Sequence, residues 1–185
     1  MNYHNIEYPD MMNGSGLRVI LWVSGCTHHC QNCQNPQTWD ACSGIEFDES
    51  ARSELFAELE HDYIKGLTLS GGDPLHENNL ETVLGLVKEV KSRFGCFNET
   101  TVSSPKKDIW IYTGYTWEEI LDGKAVNNHE SFMRREIIRR CDVMVDGKYV
   151  DKLRDAPAHW KGSTNQRVID IQKTLRQGEI ILWED

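Results

Sequence analysis

At 185 residues the chain has room for one domain with a real core, but not for a complete eight-unit α/β barrel of roughly 250 residues. A hydrophobic share of 39% beside 26% charged residues suits a soluble protein, and no segment is long and apolar enough to cross a bilayer. The net charge of −9 argues against nucleic acid or an anionic membrane as partner, because either calls for a basic surface; a small molecule or another protein is expected instead. The start, Met1 to Glu7, has neither the basic residues nor the apolar run of a signal peptide, which points to the cytoplasm, where thiols stay reduced.

In chain order, Leu17 to Val23 is apolar and β-branched and reads as a buried strand running into Gly25 and a cysteine-rich loop. Residues Asp48 to Ile64 carry Leu55, Phe56 and Leu59 at helical spacing, with early acidic residues that favour a helix start. A second strand, Gly66 to Ser70, ends in Gly71-Gly72-Asp73-Pro74, where the backbone must turn sharply. Leu80, Val83, Leu84, Val87 and Val90 mark an amphipathic helix that stops before Gly95. The polar stretch Phe97 to Lys107 reads as a loop, and Asp108 to Tyr112 as a third strand.

Thr116 and Glu119 form a capping box for a short helix ending near Gly123. A further helix spans Glu130 to Arg140, with its arginine pairs on a solvated face, and Cys141 to Val145 is a fourth strand. Gln166 to Asp170 and Gly178 to Trp183 are candidate strands. Strands alternating with helices predict an α/β fold with a mostly parallel sheet and right-handed crossovers. In such sheets ligand-binding loops gather at the carboxyl ends of the strands, so the cysteine loop and the Gly-Gly-Asp-Pro turn should share one rim.

Cys26-Thr-His-His-Cys30-Gln-Asn-Cys33 is the strongest chemical signal. Iron–sulfur clusters are normally held by four thiolates, so three at this spacing suggest a cluster with one iron left open. Other readings stand beside it. The same spacing marks one stripe of a helix, although Gly25, the polar residues within the run and Asn35-Pro36 favour a loop. A structural zinc, closed by His28 or His29, would make a non-catalytic binding module. Cys42, Cys96 and Cys141 lack ligand spacing and read as buried or partly buried thiols, and Trp39 stands close enough to shield the loop from water.

Together the cysteine loop after one strand and the Gly-Gly-acidic-Pro turn after the next resemble the radical S-adenosylmethionine enzymes. That resemblance implies a partial, open βα barrel of the radical SAM type forming a single domain over residues 1–185. It implies that Cys26, Cys30 and Cys33 hold a [4Fe–4S] cluster, with S-adenosyl-L-methionine on the open iron and Gly71, Gly72, Asp73 and Pro74 supporting its amino group. Asn32, standing where an aromatic residue is common, and Gln34 are nominated for contacts around the cluster, and Asp146 and Lys148 for the ribose.

Within that superfamily, the order of Asn35 to Trp39, Tyr112 to Tyr115, Asp142 to Gly147 and Gly162 to Arg167 is similar to the activating proteins of anaerobic ribonucleoside-triphosphate reductase. The implied activity is reductive cleavage of the sulfonium and abstraction of a glycine hydrogen on the reductase. A low-potential electron donor such as flavodoxin would supply the electron. Formate-lyase activases and carboxy-deazaguanine synthases are the related alternatives. Gly162 to Arg167 is the first place to seek partner docking.

Overall fold

The computed structural model describes residues 1–95, 106–121 and 128–184. The loop expected at Phe97 to Lys107 falls mostly outside them, as do Cys96 and the helix end expected near Gly123.

The strands β1 (Asn2–Asp10), β2 (Arg18–Val23), β3 (Ile45–Glu46), β4 (Gly66–Gly71), β5 (Asp108–Tyr112), β6 (Val143–Asp146) and β7 (Arg167–Asp170) make one open sheet in the order β3-β1-β2-β4-β5-β6-β7. The four central strands are parallel, with Leu21 beside Leu69, Leu69 beside Ile111, and Ile111 beside Met144. Helices α1 (Glu49–Leu59), α2 (Leu80–Phe94) and the pair α3 (Trp117–Leu121) and α4 (His129–Ile138) carry the chain between them. Parallel neighbours require such crossovers. A last helix, α5 (Ile171–Gln177), follows β7.

Local chemistry sets these boundaries. Asp48 caps α1 by accepting from the Ala51 amide, and Asn128 caps α4 by accepting from Ser131. The expected capping box is present: the Thr116 amide donates to Glu119 at 2.8 Å, and the Glu119 amide to Thr116 Oγ1 at 3.3 Å.

The flanks supply the antiparallel part of the expected mostly parallel sheet. β1, not anticipated from its polar sequence, pairs antiparallel to β2, and β7 pairs antiparallel to β6. Between β6 and β7 there is no α-helix, only the 3-10 turn Asp151–Leu153, so no right-handed crossover returns the chain in parallel. The candidate strand from Gly178 to Trp183 reduces to one bridge between Leu182 and Ile169.

Alternate residues divide the sheet into two faces. Val19, Leu21, Leu67, Leu69, Ile109, Ile111 and Met144 pack with the helices in the main core. Each such residue fully withdrawn from water contributes roughly 1.5–3 kcal/mol. On the other face Trp110, Val143 and Val145 form a smaller cluster with Tyr112, Trp160 and Trp183. Arg18 also lies there, fully buried, bonded to Thr68 Oγ1, the carbonyls of Ser15 and Leu67, and 2.6 Å from Asp108. Those partners let a guanidinium occupy the interior.

Candidate functional site

The cysteine loop leaves β2 through Ser24 and Gly25, whose φ of +95° suits a residue without a Cβ. The loop then folds back on itself: Gly25 N donates to Thr38 O at 2.7 Å and Cys26 N to Trp39 O at 3.0 Å. The Asn35 amide points at Cys33 Sγ, 3.4 Å away. No helix forms between Ser24 and Asn35, which removes the helical-stripe reading of the three cysteines.

The glycine turn is fastened to this loop first by backbone. Gly72 N donates to Val23 O and Asp73 N to Gly25 O, at 2.8 and 2.7 Å. A Cβ on Gly72 would stand 2.5 Å from Gly25 O, and one on Gly71, whose φ is +107°, would stand 2.7 Å from both Val23 N and O. Close backbone approach therefore requires both glycines. Asn79 locks the joint, donating to Ser24 O and Asp73 O at 2.8 and 2.9 Å.

Asp73 is 1% exposed, and both carboxylate oxygens are engaged by the protein. Oδ1 accepts from the Leu75 amide at 2.8 Å, and Oδ2 accepts from the Gly114 amide at 3.0 Å. Thr113 Oγ1 lies 2.9 Å from both oxygens, and His28 Nε2 is 2.8 Å from Oδ2. The His28 ring, edge-on to Tyr115, thus joins the cysteine loop to the turn after β4 and the end of β5. His29 instead meets the ring of Trp39.

On the far side, Asn32, with φ +57°, donates to Asp151 Oδ2 at 2.8 Å, while Tyr149 donates to Oδ1 of the same carboxylate. These bonds hold the Asp151 carboxyl below its usual range, Asn32 contributing most. The segment after β6 is in this way tied to the end of the cysteine loop.

Cys26, Cys30 and Cys33 line one cavity of about 280 Å³ with Gln34, Trp39, Gly71, Gly72, Asp73 and Tyr149. Burial pushes the Cys26 thiol up to about 11, with the neighbouring Asp73 and cysteines adding to the shift. Cys30 is raised by burial too, against the opposing pull of the Tyr149 backbone and Lys148. Buried thiols of this kind are protonated on their own and become ligands when a metal centre displaces their protons. Among the described residues no three such side chains are already drawn into a closed ligand set; the thiols share a wall. Trp39 supplies a further sign of fit, because its Nε1 is buried without a partner. A donor with no acceptor, beside three thiols, suits an anionic or sulfide-bearing group.

Asn32, Pro74, Asp146 and Lys148 are not on the cavity wall. Asp146, nominated for a ribose, is buried and its side chain is engaged within the fold. It accepts from the Trp117 amide at 3.0 Å and forms an ion pair with Arg167, which fixes α3 to β7. Lys148 is exposed but lies near enough to Cys30 to act on its thiol. Cys141 is buried as expected, whereas Cys42 is exposed, because its segment lies on the surface beyond the loop. Asn79, Thr113, Tyr149 and Asp151 are not nominated as site residues from sequence, and His28 enters there only as a possible fourth zinc ligand. The spacing of His28 within the cysteine run and the Thr113-Gly114 step after β5 were the available signals.

The matched family defines the class first: a 4Fe-4S single cluster domain aligns with residues 12–169. Proteins named anaerobic ribonucleoside-triphosphate reductase-activating protein are similar over almost their whole length. The one from enterobacteria phage T4 is 41% identical across 91% of this chain and 93% of its own. That of Pasteurella multocida strain Pm70 is 40% identical across 90% and 95%, and that of Escherichia coli K12 36% across 91% and 97%. The chain belongs to the anaerobic ribonucleoside-triphosphate reductase-activating protein family.

Proposed function

We propose that this protein is a radical S-adenosylmethionine activase of an anaerobic ribonucleotide reductase. Its open sheet is read as a partial βα barrel, with Cys26, Cys30 and Cys33 holding a [4Fe–4S] cluster. The observation that carries the reading is the meeting of the three thiols with Gly71 and Gly72 on the wall of one cavity, at the carboxyl ends of parallel strands. When bound, the cluster supplies one electron that splits S-adenosyl-L-methionine into methionine and a 5′-deoxyadenosyl radical, which takes hydrogen from a glycine Cα of the reductase.

The chain's own residues bind, orient and shield. Gly71 and Gly72 bring backbone to the cavity wall where a Cβ would clash. Asp73 and His28, both on the cavity wall, fix the turn relative to the cysteine loop. The Asn35 amide at Cys33 and the Tyr149 backbone at Cys30 face ligand sulfurs, where hydrogen bonds tune a cluster's potential. Trp39 and Tyr149 restrict water on the cavity wall. A low-potential donor such as flavodoxin would deliver the electron in the cytoplasm. Among the described residues, no helix is long and apolar enough to cross a membrane.

The test is anaerobic reconstitution followed by iron and sulfide analysis, then reduction in the presence of S-adenosylmethionine. Methionine and 5′-deoxyadenosine are expected, with a glycyl-radical signal by electron paramagnetic resonance when the reductase is added. A colourless protein with one zinc and no sulfide, or a loaded protein that leaves S-adenosylmethionine intact, would overturn the proposal.

A further inference from the structure

The three thiols on the cavity wall do not meet backbone amides on equal terms. Cys26 faces the amide of His28 and Cys33 that of Asn35, each two residues further on, so the loop's own fold supplies both. The backbone that faces the Cys30 sulfur belongs instead to Tyr149, beyond the end of β6. Segments so far apart in the chain stay in register only if a tertiary contact ties them.

Asp151 makes that contact. One of its carboxylate oxygens accepts from Asn32 Nδ2 at 2.8 Å and the other from the Tyr149 hydroxyl, also at 2.8 Å. Asn32 directly precedes Cys33, so a single carboxylate joins the cysteine loop to the residue whose backbone meets Cys30. Asn32 turns toward it from a left-handed φ of +57°, which asparagine tolerates better than most side chains.

On its other side the segment after β6 is fastened to the returning chain. Asn165 Nδ2 donates to Lys148 O at 2.8 Å, Gln166 Nε2 to Gly147 O at 2.9 Å, and the Val150 amide to Ser163 Oγ at 3.2 Å. The Tyr149 ring lies against Gly162, where a Cβ would stand 3.1 Å from its Cδ2. Residues 147–166 therefore close on themselves, and among the described residues the Asp151 carboxylate carries the side-chain hydrogen bond from this unit to the cysteine loop.

We propose that Asp151 is a positioning residue for the cluster: by holding Asn32 and Tyr149 together it fixes the Tyr149 backbone against the Cys30 sulfur, and so sets the potential at which the centre takes its electron. The proposal rests on the activase reading above. It gives Asn32 a role through Asp151 instead of on the cavity wall, which Asn32 does not line. The sign follows from charge. An N–H directed at a ligand sulfur stabilises the reduced, more negative state and raises the potential, so releasing the clamp lowers it.

Tyr149→Phe removes one arm of the clamp and Asn32→Gly the other. Neither changes the net charge, and glycine suits the φ at position 32. Asp151→Asn keeps an oxygen for Asn32 while its amide can donate to the Tyr149 hydroxyl, so it retains the clamp without the negative charge. Potentials are read by electron paramagnetic resonance during redox titration of the anaerobically reconstituted proteins, after iron and sulfide analysis. In each single-arm variant the equilibrium constant for one-electron reduction should fall about 3- to 10-fold, roughly 30–60 mV at about 59 mV per tenfold. The double variant should fall no further, because one broken arm already frees the clamp. Asp151→Asn should hold or raise the potential. Hydrogen exchange over residues 147–153 of the cluster-free protein should quicken in both single-arm variants and not in Asp151→Asn. Unchanged potentials in loaded variants, additive falls, a fall in Asp151→Asn, or unchanged exchange would each overturn the proposal. If Asn32→Gly takes up no cluster, Tyr149→Phe and the exchange measurement decide. A wild-type protein that takes up no iron or sulfide would instead sink the activase reading, and the exchange result would still judge the clamp.

Discussion

Replacing Asp73 by Asn tests whether this residue knits the fold or touches the cofactor. The amide turns one acceptor oxygen into an NH2 group, and either choice is damaging. If Oδ1 is lost the Leu75 amide faces a donor, and if Oδ2 is lost the Gly114 amide does. A buried N–H left without an acceptor costs about 1–3 kcal/mol. The remaining bonds, among them that of Thr113, change from charge-assisted to neutral and lose about 1 kcal/mol each. His28 can adapt by changing tautomer, which spares that contact. The sum is about 3–4 kcal/mol, or roughly 10 °C in melting temperature for a chain of this size. Thermal unfolding of the cluster-free protein measures it, because the effect needs no ligand. A shift below about 2 °C, together with lost S-adenosylmethionine affinity, would refute the argument.

Three further outcomes are expected. Gly72→Ala should destabilise by about 2 kcal/mol or more in urea titrations, since its Cβ would meet the Gly25 carbonyl at 2.5 Å. Gly85→Ala, in the open interior of α2, should stabilise by about 0.5–1 kcal/mol; equal effects at the two positions would contradict this reading. Cys42 should be alkylated rapidly in the native protein and Cys141 only on unfolding, because Cys141 is buried and its thiol is pushed far above the usual range by that burial. Peptide mass spectrometry after timed labelling reads both. Hydrogen bonding to Arg167 holds the Glu118 carboxyl down to about 2, from an ordinary 4.5. Its stabilising effect is complete above pH 4.5 and fades as pH falls toward 2, so Glu118→Gln should flatten the acid slope of the melting temperature in that window. The shift should be small because the pair is solvent-screened, and an unchanged slope would contradict the assignment.

The central strands were legible because strands buried on both sides leave near-continuous apolar runs, as in Val19 to Val23 and Ile109 to Ile111. The turn after β4 and the capping box at Thr116 were legible for the same reason: each is written in residues close together in the chain. β1 was not, since its exposed Asn5, Glu7 and Tyr8 and its Pro9 give little strand preference of their own. Pairing with β2 makes it a strand. Arg18 was read as part of an apolar strand, and only the fold shows a buried cation surrounded by oxygen acceptors.

By itself the sequence determined the donor set: three thiols at loop spacing, a glycine turn placed to meet them, and the family that joins the two. These depend on covalent order and local backbone preference, which neighbouring residues carry. The tertiary structure decided which carboxylates serve the protein rather than a ligand. Asp73 is bound to His28 across 45 residues and Asp151 to Asn32 across 119, while Asp146 turns to Arg167. It also decided that the Tyr112 hydroxyl and Trp160 Nε1 are buried without a partner among the described residues. Whether a buried polar group is satisfied depends on atoms brought together only by folding, and no local pattern records that.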